Sequence, residues 1–380
     1  MRSCLEYLIK HNAFVQLCYR KIVSAFFKIL GCFIKTDPKL VLLTSMSGDQ
    51  YNDSPRVLFK AMLKDDYFKT YHYIWAFKNP EKFNVPHAET IKIDTMRYFI
   101  VALKAKIWIT NVNIERGLDF KKKNTIYLNT WHGTGPKKGG NAVPGRKDYD
   151  FSRVDIFCCD GQYTHDVFVK WWNTKEESML WCGRPREDEL FQLNDSDRIG
   201  LREQFKIPDD KKVILYMPTW RETKIGLFNW KTWEDQLKEK FVVLVRSHHF
   251  DNTKYENTNF IIDVTEYEDV NKLYLLADIL ISDYSSAFFD YGLLGKPMLC
   301  YAPDYDEYCK NPGLFMDLRK EFPGGIKQKE SDIVDSLLSM DYLASSSQAT
   351  EYVHKYVNHP VNATNSCLKR LRELLGVVNE

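Results

Sequence analysis

Two series of short apolar, β-branched runs, each alternating with helical stretches, constrain this chain more than any other feature. The first series is Val41-Leu42-Leu43-Thr44, then residues 73–77, 105–110, 126–130 and 154–158. The second is 213–217, 241–245, 260–262, 279–281 and 298–301. A polar stretch, 192–212, stands between them. Parallel strands need helical crossovers and are buried on both faces, so they read as short continuous apolar runs between helices. Two such series predict an α/β chain with two doubly wound domains facing a cleft. The expected units are residues 40–205 and 206–380, the second ending in a helical tail from about Asp332. Ser54-Pro55 has the form of a helix start, and Asp94 or Thr95 can cap the helix before the third run. Thr265 and Glu268 have capping-box spacing ahead of a helix on which Val270, Leu273, Tyr274 and Ala277 share a face.

A length of 380 residues fits two or three domains. The apolar fraction of 44% is enough to fill their cores. With 53 basic against 51 acidic residues the net charge is +2, which gives no electrostatic case for nucleic acid as a partner. Nine cysteines are scattered with no C-x-x-C pair, so spacing indicates neither a zinc site nor a disulfide framework. Cys158 and Cys300 lie in apolar runs and read as small buried hydrophobes. A reducing cytosol is the simplest compartment.

Residues 1–39 differ from the rest. Arg2, Lys10, Arg20, Lys21, Lys28, Lys35 and Lys39 stand against Glu6 and Asp37, interleaved with Phe14, Val15, Ile22, Phe26, Phe27, Ile29, Leu30 and Phe33. The uncharged runs fall short of the ~20 residues a membrane span needs, and no signal-peptide cleavage pattern follows. A basic, aromatic-rich amphipathic segment suits the surface of an anionic membrane. Two ordinary helices packed on the first domain are the alternative.

Chemistry-bearing residues gather where apolar runs end, the edge at which α/β sheets bind ligands. After 126–130 comes Trp131-His132-Gly133-Thr134-Gly135-Pro136-Lys137-Lys138. An imidazole accepts a proton from a hydroxyl near neutral pH, and the lysines can hold an anionic substrate. Ser282-Asp283-Tyr284-Ser285-Ser286 follows 279–281 and opens the helix Ala287-Phe288-Phe289-Asp290-Tyr291-Gly292-Leu293-Leu294, so two hydroxyls and a helix N-terminus are offered to phosphate oxygens. Arg246-Ser247-His248-His249 and Met217-Pro218-Thr219-Trp220-Arg221-Glu222 end two further runs. A single histidine in a tight turn, a serine that merely caps a helix and solvated lysines are the plain alternatives at each place. Taken together, so many anion partners on one edge point to a nucleotide diphosphate site.

Neither a G-x-x-x-x-G-K-[ST] loop nor a G-x-G-x-x-G turn after a strand is present, which argues against P-loop kinases and dinucleotide redox enzymes. With no acidic pair beside a histidine in a ligand pattern, no metal and no cofactor are expected, and cationic side chains and helix dipoles would neutralise the phosphates.

Seven segments together resemble the CDP-glycerol glycerophosphotransferase family of teichoic acid and capsule assembly. They are SGDQYNDSPR (47–56), NTWHGTGPKK (129–138), CGRPREDEL (182–190), LYMPTWRE (215–222), VRSHH (245–249), the long stretch 263–308 and FPGGI (322–326). The resemblance implies a two-domain fold of the GT-B type, peripheral attachment at the cytoplasmic face of a bacterial membrane, and transfer of a polyol phosphate from a CDP-activated donor. It places the catalytic base at His132 and a second essential histidine at His248. This chain has His249 where the family often has proline, and Gly135 between Thr134 and the proline that more commonly follows threonine directly.

On this reading an acceptor hydroxyl attacks the β-phosphorus of a CDP-polyol, His132 removes its proton and CMP leaves. Ser285, Ser286 and the helix they open would hold the donor phosphates, with His248, Arg246 or Arg221 stabilising the leaving CMP and Thr219 lining the same side. Asp283 would orient its loop or contact the polyol. Lys137, Lys138 and Thr134 would face the acceptor, a lipid-linked or polymeric glycan of wall or capsule. The alternatives are a glycosyltransferase of the same build using a nucleotide sugar, and a non-catalytic scaffold that binds the polymer.

Overall fold

The computed structural model describes residues 13–133, 135–146, 149–219, 221, 228–247, 255–358 and 362–377. Its first sheet has β1 (Asp37–Thr44), β2 (His72–Phe77), β3 (Glu89–Lys92), β4 (Ala105–Thr110), β5 (Ile126–Asn129), β6 (Ile156–Cys159) and β7 (Met179–Trp181), in the order β3-β2-β1-β4-β5-β6-β7. The second has β8 (Lys212–Tyr216), β9 (Phe241–Val245), β10 (Ile261–Asp263), β11 (Ile279–Ser282), β12 (Met298–Tyr301) and β13 (Ile326–Lys327), in the order β10-β9-β8-β11-β12-β13. Every pairing between these strands is parallel.

Side chains alternate across each sheet and fill a core on either face, which is why the runs are continuously apolar. In the first sheet Val41, Leu43, Trp75 and Ile107 face one core while Leu42, Ile74 and Trp108 face the other. In the second, Ile214, Val243 and Ile281 lie on one face and Leu215, Leu244 and Leu280 on the other. All ten expected runs are strands, shifted by a few residues at their ends. The strands not foreseen are β3, β7 and β13. β3 and β7 are the edges of the first sheet and β13 is an edge of the second. β3 exposes Glu89 and Lys92 and so lacks an apolar run; charged edges of this kind discourage further pairing.

Helix starts fall partly elsewhere than expected. Thr95 does cap Met96–Lys104, accepting from the N–H of Tyr98. Helix Asp53–Lys64 begins one residue before Ser54, whose hydroxyl instead accepts from the N–H of Arg186 at 3.2 Å. The Thr265–Glu268 capping box does not form: Thr265 Oγ1 accepts from Ser247 N–H, and Asp269 caps Val270–Leu276 through Asn271 N–H.

The chain passes between the halves twice. Leu190, on the helix Pro185–Leu190, and Leu201, on Asp195–Gln204, already belong to the core of the second sheet. The last helix, Ala363–Leu375, returns to the first: Ala363, Cys367, Leu368 and Leu371 pack in one core with Val41 and Leu43. Asp188 fixes its start by accepting from the N–H groups of Ala363 and Thr364 at 3.1 and 2.7 Å.

The helix Ala13–Phe33 lies on the first half. Phe27 is buried and stacks on Phe99 at 4.4 Å, Ser24 accepts from Asp119 N–H, and Lys28 pairs with Asp119 at 2.6 Å. Its other face shows solvent a row of large apolar groups, among them Phe14, Ile22, Ile29 and Phe33. No helix among the described residues is long and apolar enough to cross a membrane.

Candidate active site

The loop leaving β5 is set by Trp131. This residue has φ +53°, a conformation costly for a bulky side chain, and its N–H donates to Asn129 Oδ1 at 2.9 Å. Its indole is buried among Tyr149, Phe151, Phe168 and Trp172. Anchored in this way, Trp131 places the His132 ring 4.1 Å from its own. His132 Nδ1 lies 2.8 Å from the carbonyl of Asn111. A carbonyl only accepts, so the neutral ring carries its proton on Nδ1 and presents the Nε2 lone pair. Burial pushes the imidazole below its ordinary value of 6.5; the Asn111 carbonyl and Asp53 oppose this, and Arg186 and Arg184 add to it. The result is a ring that is neutral and basic at pH 7.

Glycines bring this loop against the second half. Gly133 has φ +122°, and a Cβ there would lie 2.6 Å from Ser286 Oγ. At Gly135 a Cβ would meet Ser286 N at 2.8 Å. A side chain at either position would drive the two loops apart. The structure thus brings together His132 from the first sheet and Ser285 and Ser286 from the second. Ser285 Oγ accepts from Ala287 N–H at 3.1 Å, whereas Ser286 makes no side-chain cap to the short helix Ala287–Gly292. A second seam forms two residues on: Phe315 N–H donates to Pro136 O at 2.7 Å and Lys138 N–H to Gly313 O at 3.0 Å.

Asp283 is buried and organises its surroundings. Oδ1 accepts from the N–H groups of Thr219 and Tyr284 at 2.9 and 2.7 Å, and Oδ2 pairs with Arg221 Nη1 at 2.7 Å. Arg221 also forks onto Asp304 at 2.6 and 2.9 Å, donates to Thr219 O and lies over the rings of Tyr284 and Tyr308. Its guanidinium therefore fixes the ends of β8, β11 and β12 relative to one another. Arg246 donates to the carbonyls of Val264 and Tyr267, and burial lowers its pKa. Lys137 is an exposed residue, and desolvation by the groups around its ammonium lowers its pKa, with Asp283 opposing and Arg146 and Arg221 reinforcing. Lys138 joins the second seam through its backbone. Thr134 and His248 lie outside the described residues.

The sequence reading gave no role to the group that links these parts. Arg186 is buried and donates to Asp53 Oδ2 at 2.8 Å, to the carbonyl of His132 at 2.9 Å and to both oxygens of Asp290 at 2.8 Å. Asp53, Arg186 and Asp290 stand inside segments that carried the resemblance. A charged residue amid otherwise buried positions was the available signal.

Among the described residues one cluster has metal-ligand character. The Sγ atoms of Cys158, Cys182 and Cys367 lie within 4.8 Å of one another, all buried. Cys158 and Cys367 are 3.4 Å apart, too far for a disulfide, and all three thiols are held well above their ordinary pKa. They pack in an apolar core, Cys158 as expected for a small buried hydrophobe.

Comparison with known proteins bears on the family and the fold. The sequence profile of the family described as CDP-glycerol:poly(glycerophosphate) glycerophosphotransferase matches residues 26–362. A teichoic acid poly(glycerol phosphate) polymerase of Staphylococcus epidermidis is 35% identical over 335 residues, 80% of this chain but 46% of that protein. The chain thus spans about half the length of that relative. A teichoic acid glycerol-phosphate transferase of Staphylococcus aureus is 30% identical over 376 residues, 91% of this chain and 92% of its own. The structure of the wall teichoic acid polymerase TagF superimposes with a TM-score of 0.78 at 30% identity, covering 99% of this chain and 97% of that one. The two parallel-sheet, Rossmann-like halves are those of that fold. The chain belongs to the CDP-glycerol:poly(glycerophosphate) glycerophosphotransferase family.

Proposed function

We propose that this enzyme transfers glycerol phosphate from CDP-glycerol to a hydroxyl of a polymeric teichoic-acid-type acceptor, releasing CMP. The observation that carries the reading is the close approach of the loop that bears a neutral His132, through Gly133 and Gly135, to Ser286 at the helix start across the seam between the halves. The acceptor oxygen forms a bond to the β-phosphorus as the bridge to the α-phosphate breaks. Its proton passes to His132 Nε2, and the electron pair leaves on CMP. Ser285 and Ser286 hold the donor phosphates, Asp283 and Arg221 keep their loop in place, and Arg246, Thr219 and His248 line the nucleotide side. Lys137, Lys138 and Thr134 face the acceptor. Residues 40–205 would form the acceptor half and 206–380 the donor half, save that Leu190 and Leu201 pack in the second core and the helix Ala363–Leu375 in the first. General-base help is worth roughly 10²–10⁴-fold, so His132→Ala should lower CMP release by that factor while CDP-glycerol still binds. Donor binding with no acceptor-dependent CMP release by the unaltered protein would overturn the reading.

Attachment at an anionic membrane belongs to the same proposal, with a lipid-linked acceptor. The exposed apolar row on Ala13–Phe33, where Ile22 is 69% and Phe33 83% exposed, has the exposed cations Lys21 and Lys35 near it in sequence. The protein should float with phosphatidylglycerol vesicles but not with neutral ones, and the variant Phe14→Ser/Ile22→Ser/Ile29→Ser/Phe33→Ser should not float. Equal flotation of both proteins would refute the attachment.

A further inference from the structure

We infer that Arg186 is a positioning residue that holds the His132 loop in register with the helix opened by Ser285 and Ser286. The inference rests on the transferase reading above and names a residue through which the two halves of that site act as one. Its guanidinium meets three acceptors from three parts of the chain. Asp53 starts a helix of the first half, the carbonyl is that of His132 itself, and Asp290 lies on the helix that Ser285 and Ser286 open. The main chain of Arg186 is gripped as well, its N–H by Ser54 Oγ at 3.2 Å and its carbonyl by Asn271 Nδ2 at 2.9 Å. Nη2 would lie 3.2 Å from a Cβ at Gly133, so the guanidinium packs directly against the loop.

A buried ion pair contributes no more stability than apolar packing of the same volume, whereas its directional bonds select one arrangement. Here the arrangement selected is the one that ties the His132 main chain to the helix carrying Asp290, with Gly133 and Gly135 close against Ser286. The planar fork also explains why the residue is arginine: a lysine ammonium is a point charge and cannot keep the two-oxygen grip on Asp290 while reaching the other two acceptors. Asp53, Arg184 and Arg186 are the charged groups that bear on His132, and Asp290 acts on it through Arg186.

The test is steady-state CMP release from CDP-glycerol with acceptor, joined to calorimetric binding of CDP-glycerol, melting curves and an NMR titration of His132. Arg186→Lys should lower kcat about 10- to 100-fold, the range expected of a misplacement of order 1 Å, with KM for the donor within threefold. Arg186→Gln should lower kcat further and move the acid limb of kcat/KM to higher pH, because a positive charge beside the imidazole is gone. The paired variant Arg186→Gln/Asp290→Asn leaves fewer uncompensated buried charges. It should recover melting temperature relative to Arg186→Gln without recovering kcat. A paired variant with kcat within threefold of the unaltered protein, or losses confined to KM and melting temperature, would overturn the inference. If the unaltered protein releases no CMP, the transferase reading fails and the NMR titration decides this one. A His132 pKa unchanged by Arg186→Gln then overturns it.

Discussion

Replacing Gly135 by alanine asks whether the two loops meet as closely as the structure has them. The added Cβ would lie 2.8 Å from Ser286 N, 3.1 Å from Ser286 Cα and 3.3 Å from the Ser285 carbonyl carbon. All three are backbone atoms at the start of a helix, so no side chain can rotate away. Restoring an ordinary contact of 3.4 Å requires a retreat of 0.6 Å (3.4 minus 2.8). Overpacking of this kind costs about 1–3 kcal/mol if the seam stays shut. If the seam opens instead, the His132 loop moves away from Ser286, and on the proposed mechanism a shift approaching 1 Å costs on the order of 10²-fold in rate. Gly135→Ala should therefore turn over 10- to 100-fold more slowly at saturating CDP-glycerol, melt lower, or both. Gly139→Ala is the matched control: its φ is −142° and its Cβ would meet nothing within 4 Å, so it should stay within about 0.5 kcal/mol of the parent and keep full activity. CMP release and thermal melting of the two variants, measured side by side, decide the matter. A Gly135→Ala enzyme within twofold of the parent rate and with its melting temperature would show that the loops do not touch.

Two further outcomes follow from the same contacts. Because burial holds the His132 imidazole below 6.5, kcat/KM should fall only as pH drops through an apparent pKa under that value, and Asp53→Asn should move the limb lower still by removing an anion that favours the charged ring. The sign for stability is the same. Between the folded value and about 6.5 the unfolded chain binds more protons, so the His132 contribution is complete above about 6.5 and is lost as pH falls through the folded value; a limb above 6.5 would contradict this. Asp283→Ala removes the acceptor for two backbone N–H groups and one partner of Arg221 at 2.7 Å, and should cost about 3–5 kcal/mol in denaturant unfolding. A loss under about 1 kcal/mol would show that Asp304 alone holds the arginine.

Strands such as β9, Phe-Val-Val-Leu-Val and buried throughout, were legible because a strand covered on both faces must be apolar at nearly every position. The edge strands β3, β7 and β13 were not, being short or charged, whereas β10, also an edge, was legible from the apolar run at 260–262. His132, Ser285 and Ser286 could be read as chemistry because each follows an apolar run and therefore sits at a strand end. The partners of Arg221 could not. Asp283 and Asp304 lie 62 and 83 residues away, and nothing local tells an arginine held by carboxylates from one open to phosphate. Arg186 escaped for the same reason: Asp53 lies 133 residues before it and Asp290 104 after. A buried charge is defined by its counter-charges, and only folding assembles them. The Trp131 anchor was visible as a residue but not as a cause, because the aromatic cage that seats it comes from residues 149–172.

The double passage of the chain, outward near Leu190 and back to Ala363–Leu375, decides how the halves can move. A single tether lets two bodies twist and swing in any direction. Here the two tethers lie side by side, Asp188 of the outgoing one accepting from the N–H groups of Ala363 and Thr364 on the returning one, so any motion between the halves pivots about that one joint. A joint of this kind ties the spacing of the loops at the seam to one place in the chain, so that a change at Asp188 would be felt at His132 and Ser286 without touching either.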